Sequence, residues 1–263
     1  MRATHTDLLK WRGFAFQSKP SSIVRVLNTP DKRQQTDVAD MDFEQARFNM
    51  IEQQIRTWEV LDQDVLDLLF QVKREDFVPQ AYRAIAFTDM EIPLGEGHGQ
   101  FMMAPKMEAR IIQELAPRPS ERVLEVGTGS GYLTALLASR AAVVTSIEYF
   151  DVFSRAAASH LARANITNVN LKVGDAAQSP AALIGAGEKF DVIVLTGSVP
   201  ILPQVFLDAL AENGRLFAII GDAPAMKATL FTRAIGNAVA SAEIFETVVA
   251  PLVNARQPSR FDF

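Results

Sequence analysis

Hydrophobic and polar positions follow two regimes along this chain. From residue 42 onward, apolar residues recur at Phe43, Ala46, Phe48, Met50, Ile51 and Ile55, near a period of 3.6, which predicts an amphipathic helix. Asp62 is placed to cap a second helix reaching about Lys73, with Val65, Leu66, Leu69 and Phe70 facing inward. Arg56-Thr57-Trp58 separates the two, and Arg74-Glu75-Asp76-Phe77-Val78-Pro79 follows as a turn because its proline stops a helix. Residues 92–105, IPLGEGHGQFMMAP, then break the periodicity. Glycines 95, 97 and 99 exclude a regular helix or strand there, which makes the loop a candidate lid. A helix with Pro105 in its first turn follows to about Ala116, ahead of Pro117 and Pro119.

In the second regime short apolar runs alternate with helical stretches. Strands are predicted at 122–126, 143–148, 169–173, 190–196 and 215–220, and helices at 132–139, 151–164, 180–184 and 202–211. That alternation implies an α/β fold, doubly wound around a mostly parallel sheet with helices on both faces. Two tail segments, 228–235 and 243–252, predict an antiparallel pair about Gly236-Asn237 and bring the sheet to seven strands. The expected organisation is a single domain over 41–263, with a helical cap and lid loop at 41–117 and the sheet core at 118–263. Residues 1–40 differ, carrying Arg2, Lys10, Arg12, Lys19, Arg25, Lys32 and Arg33 without the apolar core of a secretory signal. They read as a leader in preference to an organelle-type transit segment, since Asp7, Asp31 and the prolines spoil an amphipathic helix. Met41 is then a candidate start.

Composition narrows the chemistry. The 263 residues carry a net charge of −5, which disfavours a nucleic-acid surface built on clustered Lys and Arg. No apolar run approaches the ~20 residues that cross a bilayer. Cysteine is absent, and with it disulfides, thiolate metal sites and a cysteine nucleophile. The three histidines, His5, His98 and His160, are dispersed, so no metal is expected. A cytoplasmic monomer fits these features.

The candidate site begins at Val123–Gly131, VLEVGTGSG, where a buried strand runs into a glycine loop that opens a helix at Tyr132. Glycines 127, 129 and 131 let a ligand lie against bare backbone. The dinucleotide fingerprint places its last glycine three positions after the second, whereas Gly129 and Gly131 are two apart. Ligands of doubly wound sheets bind beyond the carboxyl ends of the strands, and three acids fall there: Glu125, Glu148 and Asp175. Glu148 is placed to accept ribose hydroxyls and Asp175 to address an adenine amino group. Thr196 ends the fourth strand beside the same crevice.

Acid-x-Gly-x-Gly-x-Gly resembles motif I of the class I S-adenosylmethionine-dependent methyltransferases. The resemblance implies that the loop Gly127, Thr128, Gly129, Ser130 and Gly131 holds the methionine part of S-adenosyl-L-methionine, that Glu125 and nearby carbonyls accept its ammonium, and that Gln100 and Ala176 join the donor site. A narrower resemblance covers roughly residues 41–263. The order cap, PLGEGHGQFMMAP, VLEVGTGSGY, GDA, KFDVIVLTGSVP and Pro-Ser-Arg-Phe is similar to the protein-L-isoaspartate O-methyltransferase family. It implies methylation of the carboxylate of isoaspartyl residues in damaged proteins or peptides. A carboxylate, with a reference pKa of about 4, is ionised at neutral pH and needs no general base. The family's lid reads Pro-x-Gly-x-Gly-Gln-Thr-Ile-Ser-x-Pro; here Gln100 and Pro105 match, but Phe101 and Met103 replace the Thr and Ser. Met103, His98 and Thr196 are therefore the residues expected nearest the acceptor, with Arg260 available to steer an anion. The apolar replacements keep two alternatives open: another protein or small-molecule acceptor, and a donor-binding protein without turnover.

Overall fold

The structure, a computed structural model, describes residues 42–95, 97 and 99–257. The leader, Met41, His98 and Arg260 lie outside the described residues. The cap opens with α1 (Phe43–Met50), capped by Asp42 accepting from the Gln45 amide, and continues through a π turn (Ile51–Ile55) and a 3-10 turn (Arg56–Trp58). Helix α2 (Gln63–Gln71) starts on the predicted Asp62 cap, which accepts from the Asp64 amide. Two assignments within the apolar stripe change. Phe48 is exposed, and Arg47, its polar neighbour, is buried because Glu44 and Glu75 both pair with it. Arg47 lies one turn before the buried Met50 and Ile51 and shares their helix face, whereas Phe48 points away from it.

The lid folds as a minimal hairpin, β1 (Ile92–Pro93) against β2 (Phe101–Met102), and α3 (Pro105–Leu115) follows with its proline at the helix start. Five parallel strands then alternate with helices. They are β3 (Arg122–Val126), α4 (Tyr132–Ala138), β4 (Val143–Glu148), α5 (Asp151–Arg163), β5 (Val169–Val173), α6 (Pro180–Ile184), β6 (Phe190–Leu195), α7 (Gln204–Asp208) and β7 (Leu210–Ile220). Antiparallel β8 (Met226–Arg233) and β9 (Val239–Thr247) complete a seven-stranded sheet of order β5-β4-β3-β6-β7-β8-β9. The chain reverses its direction of winding at β3, between β4 and β6, so the exit of β3 is the topological switch point.

Several boundaries differ from the sequence pattern: β7 begins at Leu210 rather than at 215, and β8 and β9 begin at Met226 and Val239 rather than at 228 and 243. The helix predicted at 202–211 shrinks to α7 because Pro203 sets its start and Leu210 already pairs with Phe190, leaving a bulge before Arg215 aligns with Val192. The last predicted strand ends at Thr247, and residues 249–253 leave the sheet. There the Ser198 amide donates to Ala250 (3.0 Å) and the Leu252 amide to Ser198 (3.0 Å), so the tail runs alongside the exit of β6.

Cap and sheet meet over a buried polar layer. Arg74 has no exposed surface; Nε donates to the Ala86 carbonyl (2.8 Å), Nη2 to the Met103 carbonyl (2.7 Å), and Nη1 pairs with Glu108. Its guanidinium lies 5.1 Å from the centre of the Tyr132 ring. Burial pushes the Glu108 carboxyl up while Arg74 pulls it down, and burial likewise raises the Tyr132 phenol. Replacing Arg74 with Met leaves Glu108 without its cation and two carbonyls without donors. The expected loss is about 3–5 kcal/mol in urea unfolding, partly restored by adding Glu108→Gln. A loss below about 1 kcal/mol would mean the layer is not held by this pair.

Candidate active site

The loop between β3 and α4 is shaped by glycines at positive φ: 99° at Gly127, 56° at Gly129 and 84° at Gly131. A Cβ on Gly127 would lie 2.1 Å from Thr196 Oγ1 and one on Gly131 3.0 Å from Ala157, so both backbone conformation and space require glycine there. The loop is the floor of a crevice whose walls come from the lid (Leu94, Gln100, Phe101, Met102, Met103), the tip of β4 and the tail at 249–253.

Glu148 is the hub of this crevice. It is almost fully buried, yet its carboxylate lines the wall, accepting from the Gly129 amide at 2.8 Å (Oε2) and the Phe150 amide at 2.9 Å (Oε1). Each carboxylate oxygen has a second lone-pair direction, so the group can still accept from vicinal hydroxyls. Asp175 lines the far end. Its Oδ1 accepts from the amides of Ala177 (3.0 Å) and Gln178 (2.9 Å), and its Oδ2 from Asn254 (2.7 Å), which ties the tail to this end of the crevice. Gly127, Thr128, Gly129, Ser130, Ala176 and Gln100 line the crevice, whereas Gly131, the cap residue of α4, does not.

Glu125 does not line it. The side chain points under the loop with no exposed surface, its Oε2 accepting from Thr134 (2.5 Å) and Ser146 (2.6 Å); Ser146 in turn meets Thr128 at 2.6 Å. The correction follows from strand alternation: neighbours of a strand-end residue point to opposite faces, and position 125 faces α4. Burial pushes the Glu125 carboxyl up to about 8, against the hydrogen bonds from Ser146 and Thr134 and with help from Glu148. From there the carboxyl supports the loop through Ser146 and Thr128 and presents no face to the crevice.

Thr196 reaches the crevice, but its hydroxyl donates to the loop carbonyls of Val126 (2.9 Å) and Gly127 (2.8 Å). It locks the loop to β6. Met103 lines the crevice with its side chain nearly buried, and its carbonyl is the one held by Arg74. Several residues at or behind the wall are not marked as site residues by the sequence pattern. Tyr149 and Phe150 directly follow the strand-tip acid, and that adjacency is a signal available from sequence. His160 braces the loop through Nδ1 against the Ser130 carbonyl at 2.8 Å, and the tail at 249–253 arrives from more than 100 residues downstream, contacts with no local pattern to mark them. Among the described residues no group of three His, Cys, Asp or Glu side chains could hold a metal, and no helix is long and apolar enough to cross a membrane.

The Glu125 carboxyl generates a pH prediction. With a folded value of about 8 against an ordinary 4.5, the native state holds one more proton than the unfolded chain in that window. Stability therefore falls as pH rises from about 4.5 towards 8, by on the order of 1.4 kcal/mol per unit from this group. Glu125→Gln keeps the hydrogen-bonding shape and cannot ionise, so its urea midpoint should fall less than the parent's between pH 5 and 8. Parallel midpoints for the two proteins would show that the parent carboxyl is already ionised.

Comparison with known proteins places this geometry. Residues 45–257 match the family model described as protein-L-isoaspartate(D-aspartate) O-methyltransferase. The chain is 39% identical over 177 residues to the protein-L-isoaspartate O-methyltransferase of Methanoculleus marisnigri, covering 66% of this chain and 77% of the relative. It is 36% identical over 212 residues to protein-L-isoaspartate O-methyltransferase 1 of Rhodopseudomonas palustris, covering 80% and 84%. A Plasmodium falciparum structure assigned to the same family, solved with S-adenosyl-L-homocysteine, shares the fold with a TM-score of 0.69 at 22% identity, covering 82% of this chain and 100% of that one. With a matched segment spanning cap, lid, glycine loop and tail, the chain belongs to the protein-L-isoaspartate O-methyltransferase family.

Proposed function

We propose that this protein transfers the methyl group of S-adenosyl-L-methionine to the carboxylate of isoaspartyl residues in proteins or peptides. The observation that carries the donor is the convergence of the bare glycine loop and the Glu148 carboxylate on one crevice at the switch point. Glycines 127 and 129 bring backbone close to the methionine part, Glu148 receives the ribose hydroxyls, and the Asp175 end, with Tyr149 and Phe150, receives the adenine. The donor supplies a methyl group already activated on sulfonium. What remains for the protein is positioning and the exclusion of water. An ionised acceptor carboxylate brings its own lone pair and leaves no proton to remove, which agrees with a crevice that holds no histidine or cysteine among its described lining residues. The lid is apolar at Phe101, Met102 and Met103, so it covers the reacting atoms without competing for the donor. Support for the acceptor comes from the family relationship.

The same apolar lid favours a second reading, a different acceptor at the same donor site. Phe101 and Met103 stand where relatives carry hydroxyls that can bind a carboxylate, and a site lacking the polar partner discriminates less for the polar group. We also infer a protein of the cytoplasm that acts as a monomer.

Two measurements test the donor and the acceptor separately. Incubation with methyl-labelled donor and an isoaspartyl peptide should yield a base-labile methyl ester, whereas the aspartyl form of the peptide should not. Labelling of cell-extract components without labelling of the peptide would select the second reading. For the donor, Glu148→Ala should weaken S-adenosyl-L-homocysteine binding by calorimetry roughly 10- to 100-fold, the value of one or two hydrogen bonds to a charged group. Unchanged affinity would move the ribose partner elsewhere.

A further inference from the structure

The crevice contains one carboxylate that has no charged partner among the described residues. Of the four acids among the described residues on its wall, Glu108 is paired with Arg74, Glu148 accepts two backbone amides, and Asp175 accepts two amides and Asn254. The fourth is Glu91. It is half-buried, burial pushes its pKa up with nothing opposing, and it makes no hydrogen bond or ion pair among the described residues. No Lys or Arg is among the described residues that line the crevice. Lys106, at the start of α3, is committed to Asp89 (2.8 Å) and to the face of Trp58.

Position adds to this. Glu91 directly precedes Ile92, which pairs with Met102, so the carboxylate stands at the end of the lid hairpin where Met103 leaves it. That is the lid side of the crevice, away from the adenine end marked by Asp175. A partly desolvated carboxylate without a partner is costly, and a cation arriving from outside relieves that cost. The surrounding wall is apolar at Leu94, Phe101, Met102 and Met103, which strengthens the attraction by keeping water away.

We propose that Glu91 is a specificity residue for the acceptor, receiving the side chain of a Lys or Arg that flanks the isoaspartyl residue. The proposal rests on the isoaspartyl reading above and adds a sequence preference to it. Substrates of this protein are then basic around the damaged site, and acidic flanks are rejected by like charge.

The test uses the full chain and three fluorescent isoaspartyl peptides that differ only in having Lys, Ala or Glu beside the isoaspartyl residue. Binding is read by anisotropy in the presence of S-adenosyl-L-homocysteine, and turnover by ester formation with labelled donor. The Lys peptide should bind about three- to fivefold tighter than the Ala peptide, and the Glu peptide correspondingly weaker, at low salt. The differences should shrink at 0.5 M salt. In Glu91→Gln the ranking should collapse, while S-adenosyl-L-homocysteine affinity by calorimetry stays at the parent value. A ranking that survives Glu91→Gln, or no ranking in the parent, overturns the proposal. So does a loss of donor affinity with the ranking intact, which would assign Glu91 to the donor's ammonium. Charge-ranked binding without ester formation would keep Glu91 as the reader and reject the isoaspartyl transfer; ester formation without ranking would do the reverse. Absence of both binding and turnover rejects the two together.

Discussion

Arg74 lies with no exposed surface among elements that chain order keeps apart, and its N–H groups are committed to the Ala86 carbonyl, the Met103 carbonyl and Glu108. Through them the cap, the lid and α3 share one guanidinium, whose face also lies against Tyr132, the first residue of the helix that the glycine loop opens. A buried ion pair of this kind adds little net stability beyond an apolar equivalent, but removing one member is expensive. That asymmetry makes the arrangement specific. The lid has only two short strands of its own, and its position over the crevice depends on Arg74 being where it is.

A second constraint sits on the sheet side. The glycine loop is held from below by the Glu125, Ser146 and Thr128 chain, from the side by Thr196 and His160, and from the crevice by Glu148. Each contact fixes a backbone segment that must remain bare for a ligand to approach. The acids conspicuous in the sequence therefore divide by depth: Glu125 supports, while Glu148 and Asp175 face the crevice; Glu91, which no motif marks, stands at the lid without a partner among the described residues.

The lid is apolar where it lines the crevice, which suits it to excluding water rather than to hydrogen bonding. Phe101 is partly exposed at the mouth while Met102 and Met103 are nearly buried beneath it. With hydroxyls absent from those two positions, acceptor recognition falls to groups around the lid. This is the setting in which an unpaired carboxylate on the same wall acquires significance.

The sequence by itself determined the strand-helix alternation, the glycine loop and the acids at strand ends, because those depend on local periodicity, on the steric demands of φ and on which end of a strand faces the crevice. Strands 143–148 and 169–173 and the 180–184 helix match residue for residue. Only the tertiary structure decided which face Glu125 takes, that Arg47 is inside and Phe48 outside, and that the last strand stops at Thr247 so that the tail can close the crevice. The reason is common to all three. Burial of a charge, or release of a strand end, is fixed by partners on other elements, such as Ser146 for Glu125 and Glu75 for Arg47, and no local pattern carries that information.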